Sequence, residues 1–281
     1  MSMRFDTHIR PLFYIMGERK CGTSSLYRHL NAHPLVLPCR MKEPQFFSKA
    51  PAYIESHPEE YEALFPLIEG REDVSYLWPE LNAEGILYHE TVTAPRQPGL
   101  PYVSGEASAN TFHEVDPSLL HRYLPDIKLI VLFRDPVARA WSQYRMYERF
   151  RDEGRTLPVQ LRDFDTDVRA EIELIRQGGR GEFLSPGIYL ENLQRWVGVY
   201  GRDAIKVLFT HSLDTRPQAL LDEVLHWLGL PPHAYGAHLA QRFNQAPPAE
   251  MPPESRERLD AFFRPYDEAL SHYLGERLPW R

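Results

Sequence analysis

Short apolar runs and longer amphipathic segments alternate along most of the chain. Residues 13–17, Lys128–Phe133 and Ile205–Phe209 are predominantly apolar runs, which are typical of strands buried on both faces of a parallel sheet. Residues 189–200 and Pro217–Leu228 instead repeat apolar side chains at helical spacing. This alternation predicts an α/β fold, with a central parallel sheet flanked by helices.

Four further segments complete the pattern. Residues 23–33 are predicted to be a helix that ends before Pro34, and residues 51–67 are predicted to be helical in part. Residues 149–180 are charge-rich and predict an amphipathic helix with a solvated face. Residues 71–101 carry many aromatic residues between prolines and glycines, which predicts a long loop that either forms a lid over a ligand or only covers the core.

Length and composition set the broad class of protein. A chain of 281 residues with 43% hydrophobic content can bury one sizeable core, so we expect a single domain spanning residues 1–281. Its 32 basic and 39 acidic residues give a formal charge of −7, a poor match to nucleic acid or another polyanion unless basic residues cluster locally. The two cysteines and the lack of a signal-peptide core predict a cytoplasmic protein. No apolar stretch approaches the ~20 residues that span a bilayer.

The turn after the first strand has the features of a phosphate-binding loop. Gly17 and Gly22 allow tight turns between the strand and a helix start, so backbone N–H groups can converge on one anion. Thr23, Ser24 and Ser25 follow and add hydroxyl donors. The nucleoside triphosphatase pattern places lysine directly after the second glycine, whereas this chain has its lysine earlier, at position 20. The loop is therefore P-loop-like, but it differs from an ATPase loop.

A second polar group follows the apolar run Lys128–Phe133. Asp135 and Pro136 are ordinary residues for a helix start, as N-cap and first helical residue. Arg134, at the strand end, and Ser142, about two helical turns later, can offer a guanidinium and a hydroxyl to a second phosphate. Ligands of open α/β sheets bind at these strand ends, so we expect both groups beside the first loop.

No metal site is expected from the sequence. The 12 histidines form no His-Glu-x-x-His pattern and no zinc-type cluster with cysteine. Asp163, Asp165 and Asp167 alternate as in a calcium loop, but Val168 and Leu174 occupy the positions that require glycine and glutamate. These three aspartates are predicted to form a solvated turn.

The two phosphate-binding patterns together resemble those of the sulfotransferases that use 3′-phosphoadenosine-5′-phosphosulfate (PAPS), and the heparan-sulfate-type branch in particular. A third pattern, Glu43-Pro-Gln-Phe-Phe47, is similar to the Glu-x-x-Phe-Phe element of that family. Weaker similarity extends over nearly the whole chain. The resemblance implies that the first loop holds the 5′-phosphosulfate, that Arg134 and Ser142 hold the 3′-phosphate, and that a C-terminal loop containing Arg242 covers the nucleotide.

The same resemblance implies roles for individual residues. Glu43 is the expected catalytic base, and Lys20 is expected to stabilise the leaving phosphate as well as to bind the donor. PAPS is the expected donor substrate, with no metal. The full set of expected PAPS-binding residues is Lys20, Cys21, Gly22, Thr23, Ser24, Ser25, Arg134, Ser142 and Arg242.

One departure from the family pattern bears on the acceptor. The heparan-type enzymes tend to carry lysine after the glutamate of the strand that precedes the second motif, whereas this chain has Ala107 after Glu106. Alanine cannot contact an anionic sugar through a charge, which argues against a sulfated glycan. A small molecule, a lipid or a carbohydrate could supply the acceptor hydroxyl. A kinase-like phosphotransferase and a non-catalytic nucleotide-binding module are the alternative functions, and the sequence leaves the oligomeric state open.

Overall fold

Five parallel strands form the centre of the computed structural model, which describes residues 3–70, 72–81, 87–97, 99–240 and 249–281. The strands of the described residues are β1 (Pro11–Gly17), β2 (Val36–Pro38), β3 (Val74–Leu81), β4 (Leu87–Ala94), β5 (Val103–Ala107), β6 (Lys128–Phe133) and β7 (Ile205–Phe209). The helices are α1 (Thr23–Asn31), α2 (Pro51–Ser56), α3 (Pro58–Glu62), α4 (Thr111–Glu114), α5 (Pro117–Tyr123), α6 (Pro136–Asp152), α7 (Phe164–Arg176), α8 (Leu190–Tyr200), α9 (Thr210–Thr215), α10 (Pro217–Leu228) and α11 (Pro253–Leu274).

The central sheet has the strand order β2-β5-β1-β6-β7, and every pairing in it is parallel. From β1, the strands β5 and β2 extend toward one edge of the sheet, whereas β6 and β7 extend toward the other edge. The order of the strands therefore reverses between β1 and β6, which places the ligand crevice of an open α/β sheet at their carboxyl ends. Gly17 of β1 pairs with Leu132 of β6 at this point.

Both faces of the central sheet are covered by apolar side chains. Along β1, Phe13 and Ile15 pack into one hydrophobic cluster, whereas Tyr14 and Met16 pack into a second cluster on the opposite face. This alternation of faces follows from the two-residue period of a strand. The prediction of a single α/β domain with a central parallel sheet flanked by helices is confirmed.

The prediction of a long loop at residues 71–101 is wrong. β3 and β4 form an antiparallel pair, in which Ser75 lies opposite Thr93 and Tyr76 lies opposite Val92. Threonine, valine and tyrosine favour strands, and a two-stranded sheet consists only of edge strands, where Pro79 does not prevent pairing. The prolines that suggested a loop were therefore misleading.

The charge-rich segment 149–180 is not one helix. α6 continues as far as Asp152, and α7 begins only at Phe164. The Asp163 carboxylate accepts a hydrogen bond from Thr166 N–H and caps α7, so the prediction of a solvated turn is wrong. Asp165 and Asp167 lie on that helix and pair with arginines. No helix within the described ranges is long and apolar enough to cross a membrane.

Candidate active site

A cavity of about 980 Å³ opens at the carboxyl ends of β1 and β6. It brings together residues that are far apart in the chain, as expected for the point where the strand order reverses. Most of the residues predicted from the two phosphate-binding patterns and the Glu-x-x-Phe-Phe element line it. They are Lys20, Gly22, Thr23, Ser24, Ser25, Glu43, Arg134 and Ser142.

The loop between β1 and α1 is shaped by close backbone contacts. A Cβ atom at Gly17 would lie 2.6 Å from the Leu132 carbonyl oxygen, so only glycine allows this approach of the loop to β6. Gly22 has a φ of 91° and precedes α1, which has no side-chain cap. The first N–H groups of a helix lack intrahelical partners, so the start of α1 can bind an anion.

Lys20 is held in an unusual environment within this loop. Its φ of 73° lies in the left-handed region, which non-glycine residues rarely adopt. Burial, with smaller contributions from the Arg134 and Arg149 guanidiniums, lowers the pKa of Lys20 to about 8. No described carboxylate lies within ion-pair distance of its ammonium group. An anionic ligand would supply the missing countercharge.

Arg134 and Thr210 tie the loop to the strands beside it. Arg134 Nη1 donates to the Lys20 carbonyl at 3.0 Å, and Tyr189 Oη donates to the Arg134 carbonyl at 2.8 Å. Thr210 Oγ1 is 2.6 Å from the Cys21 carbonyl and 3.1 Å from that of Phe133. Asp135 caps α6 by accepting from Val137 N–H, as predicted, and this fixes the start of the helix that carries Ser142.

Glu43 reaches the cavity from a strained turn. Its φ of 56° and the φ of 47° at Gln45 are both left-handed, a conformation that costs of order 1–3 kcal/mol per residue. Hydrogen bonds to β5 and its following residue hold the turn, since Glu43 N–H donates to the Ala107 carbonyl and Gln45 N–H donates to Ser108 Oγ. The Glu43 side chain is 33% exposed, and its carboxylate pairs with the ammonium of Lys42. Sequence reasoning missed Lys42, although it directly precedes Glu43.

The two phenylalanines after Glu43 anchor this turn in the core. Phe46 and Phe47 are each 2% exposed, and both rings pack on Tyr61, with centroid separations of 5.2 and 4.9 Å. Burial of two aromatic side chains stabilises the local backbone by several kcal/mol, on the order of 1.5–3 for each. Their packing offsets the strain at Glu43 and Gln45.

One predicted binding residue, Cys21, does not line the cavity. The Cys21 thiol is fully buried 3.8 Å from Tyr189 Oη, and burial raises its pKa. The Cys21 N–H donates to the Glu18 carbonyl, so neither group of Cys21 points to a ligand in the cavity. The prediction that Cys21 binds the donor is therefore not supported by its position. Arg242 lies outside the described residues.

The cavity is more basic than the chain as a whole. Its only described carboxylates are Glu43 and Asp214, and several arginines were not predicted as site residues because they come from α6, the segment after it and the start of α11. Glu148 pairs with one of these arginines and Glu153 with two. Local clustering thus overrides the net charge of −7. The cationic lining residues are Arg19, Lys20, Lys42, Arg134, Arg145, Arg149, Arg155 and Arg256.

Glu106, the strand residue next to Ala107, is placed quite differently from Glu43. Its side chain is fully buried on β5 and does not line the cavity. Burial raises the pKa of Glu106 to about 7, against the opposing effect of the Tyr14, Tyr61 and Ser108 hydroxyls. Of the two carboxyl groups near this strand, only Glu43 is positioned to contact a ligand in the cavity.

Comparison with known proteins gives one consistent result. The sequence model of the Sulfotransferase family matches residues 11–184, more than half of the chain. Human bifunctional heparan sulfate N-deacetylase/N-sulfotransferase 3 is 25% identical over 96% of this chain, and human carbohydrate sulfotransferase 15 is 24% identical over 99% of it. The chain spans only 31% and 56% of the lengths of these two relatives. A sulfotransferase structure from Alicyclobacillus acidocaldarius is 26% identical, with a TM-score of 0.64 and coverage of 96% of this chain and 97% of that one.

Proposed function

Because the chain belongs to the sulfotransferase family, we propose that it transfers a sulfuryl group from PAPS to a hydroxyl group of a carbohydrate. The observation that carries this proposal is the meeting of Lys20, Arg134 and Glu43 in one basic cavity at the carboxyl ends of β1 and β6. These residues come from three separate parts of the sequence. Their convergence supplies two anion-binding groups and a proton acceptor.

The donor fits the chemistry of the cavity. PAPS carries a 5′-phosphosulfate and a 3′-phosphate, so it requires two separate cationic subsites. Lys20 and the start of α1 would hold the 5′ group, since a partly buried ammonium and helix N–H groups without a side-chain cap both favour an anion. Arg134 and Ser142 would hold the 3′-phosphate, to which a guanidinium can donate two parallel hydrogen bonds.

The reaction then divides between Glu43 and Lys20. The acceptor oxygen forms a bond to sulfur as the bond between sulfur and the leaving phosphate oxygen breaks, and the electron pair of the broken bond stays with the phosphate. The Glu43 carboxylate takes the proton of the acceptor hydroxyl. Lys20 and the α1 N–H groups stabilise the charge that develops on the phosphate oxygen. Transfer of this kind depends on positioning and charge neutralisation.

The choice of a carbohydrate acceptor is supported by the relatives. One is named as a carbohydrate sulfotransferase and another as a heparan sulfate N-sulfotransferase. The second name concerns transfer to nitrogen, so amino sugars belong in any acceptor screen. We keep the cytoplasm as the proposed location, supported by the free thiols of Cys21 and Cys39.

A transfer assay tests the proposal. The purified protein is incubated with PAPS and a panel of sugars, amino sugars and lipid alcohols, and mass spectrometry detects products that have gained one sulfuryl group. We expect at least one sugar product, which should form at a strongly reduced rate with a Glu43→Gln variant. Assays with and without EDTA test the expectation that no metal is required. Transfer of phosphate from ATP with no transfer of sulfuryl from PAPS would contradict the proposal.

A further inference from the structure

A second cavity, of about 300 Å³, lies beside the phosphate-binding loop. Arg19 lines both this cavity and the larger one. Tyr147 lines the larger cavity, and its hydroxyl donates to Glu182 Oε1 in the smaller one at 2.5 Å. Arg19 Nη1 is also 2.7 Å from Tyr147 Oη and 3.4 Å from Glu182 Oε1. The two cavities therefore share a wall of three hydrogen-bonded side chains.

One carboxylate that lines the second cavity is buried and paired with a histidine. Glu18, the residue directly after β1, is 1% exposed, and its Oε2 lies 2.8 Å from His113 Nδ1. Its other carboxylate oxygen, Oε1, is buried without a hydrogen-bond partner among the described residues. A buried carboxylate oxygen without a donor is costly, and a hydroxyl group of a ligand in this cavity would satisfy it.

The charges of the second cavity differ from those of the first. Its lining includes three carboxylates, Glu18, Glu114 and Glu182, balanced by the guanidiniums of Arg19 and Arg180 and the imidazole of His113. The Gln143 amide and the Ser185 hydroxyl also line it. Carboxylates accept hydrogen bonds from hydroxyl groups but repel sulfates, so this mixture of donors and acceptors suits an uncharged ligand with many hydroxyls.

We propose that the second cavity binds an uncharged sugar unit of the acceptor, adjacent to the unit that receives the sulfuryl group. This inference rests on the proposed function and narrows the acceptor to a saccharide that is neutral at this position. The donor is thus selected by positive charge in the larger cavity. The acceptor is selected by hydrogen bonding in the smaller one.

Calorimetry with the PAP-loaded protein tests the inference, where PAP is the desulfated donor 3′-phosphoadenosine-5′-phosphate. The probes are neutral disaccharides (sucrose, lactose, cellobiose and diacetylchitobiose) and, as a charged match, sucrose octasulfate. Val159 lines the second cavity and is half-buried, so Val159→Trp should obstruct part of the space, whereas Val159→Ile should leave it open. We expect a neutral disaccharide to bind, to bind at least about tenfold more weakly to the Trp variant, and to bind normally to the Ile variant.

Glu114→Gln is a second variant, chosen because this partly exposed side chain lies at the edge of the cavity and its change should not affect folding. Loss of a charged acceptor should weaken the neutral disaccharide by about tenfold. Binding of PAP should be the same in all variants. Preference for sucrose octasulfate, no binding of any neutral disaccharide, or unchanged binding in both Val159→Trp and Glu114→Gln would overturn the inference. Failure of the unmodified protein to bind PAP would instead contradict the proposed function.

Discussion

Two glutamates near the end of β5 show how surroundings decide the use of one residue type. Glu43 lies on a strained turn at the edge of a basic cavity, with its side chain partly open to solvent and paired with Lys42. Glu106 lies on the strand itself, fully buried beside Tyr14 and Tyr61. The turn of Glu43 is hydrogen-bonded to Ala107, the residue after Glu106.

Access to a ligand in the cavity distinguishes the two glutamates, because only an accessible carboxylate can act as a general base. A general base has to lie within hydrogen-bond reach of the proton that it removes, and only Glu43 lines the cavity. Glu106 instead has a raised pKa because its charge is costly in the core. A perturbed pKa is often taken as a sign of a catalytic group, and here it marks the carboxyl that lies outside the cavity.

Substituting each glutamate in turn tests which of the two is the catalytic base, and it should give the largest effect. Glu43→Gln keeps the size of the side chain but removes the proton acceptor, so turnover should fall by roughly 10²–10⁴-fold. Glu106→Gln should leave turnover close to that of the unmodified enzyme. Initial rates of sulfuryl transfer measure both, and calorimetry with PAP should give similar affinities. Equal losses in the two variants would mean that the base is not assigned correctly.

The stability of the fold should respond to Glu106 in a pH-dependent way. Its pKa is about 7 in the folded protein against an ordinary value of 4.5, so the folded state binds more protons between these values and loses stability as the pH rises through them. The glutamine in Glu106→Gln does not titrate, so this variant does not lose stability in that way as the pH rises. Urea unfolding should give similar free energies for both proteins near pH 4.5, and a variant that is more stable by about 3 kcal/mol at pH 8. A difference that does not change with pH would exclude this account of Glu106.

A substitution of Arg134 tests whether this residue binds the 3′-phosphate of the donor. Arg134→Lys keeps the charge but loses the planar fork, so affinity for PAP should fall by roughly 10- to 100-fold. Affinity for adenosine 5′-phosphosulfate, which lacks the 3′-phosphate, should hardly change. Calorimetry with both nucleotides measures the two effects. If both affinities fall equally, Arg134 acts by holding the loop through the Lys20 carbonyl rather than by binding phosphate.

The smallest expected effect is a dependence of donor affinity on pH, which arises from the Lys20 ammonium. Its pKa of about 8 means that the free protein loses this positive charge as the pH rises through 8, and a doubly anionic ligand group prefers the charged form. PAP should therefore bind about tenfold more weakly at pH 9 than at pH 7. The Lys20→Arg variant, whose guanidinium stays charged, is the matched control and should bind PAP equally at both values. A flat profile in the unmodified protein would contradict the assigned charge change.

The sequence predicts the parts of this site that depend on local patterns. The glycine turn from β1 into α1 and the pair Arg134 and Ser142 on one strand end and its helix are short-range signals, and both meet in the cavity. Arg19 and Tyr147 meet only because two distant segments pack together, so no local pattern indicates their hydrogen bond. Cys21 was expected to bind the donor because of its place in the motif, whereas the turn directs its side chain into the core.

The fold was predictable to a similar degree and for similar reasons. The apolar patterns of buried strands such as β6 and of helices such as α10 predict these elements directly. The structure gives α10 the predicted bounds. The β3 and β4 pair was missed because each strand is stabilised by the other, and its prolines resemble those of a loop. Strands that are stabilised mainly by pairing with another strand are therefore difficult to predict from local sequence patterns.

Thermal unfolding in the presence of PAP or ADP tests the central claim most directly, because the two nucleotides differ at the phosphate that Arg134 and Ser142 are proposed to bind. PAP at a hundred times its dissociation constant should stabilise the protein by about 2.7 kcal/mol. ADP at the same concentration should give a much smaller shift. Equal stabilisation by ADP would contradict the assignment of a 3′-phosphate site and favour a kinase-like phosphotransferase.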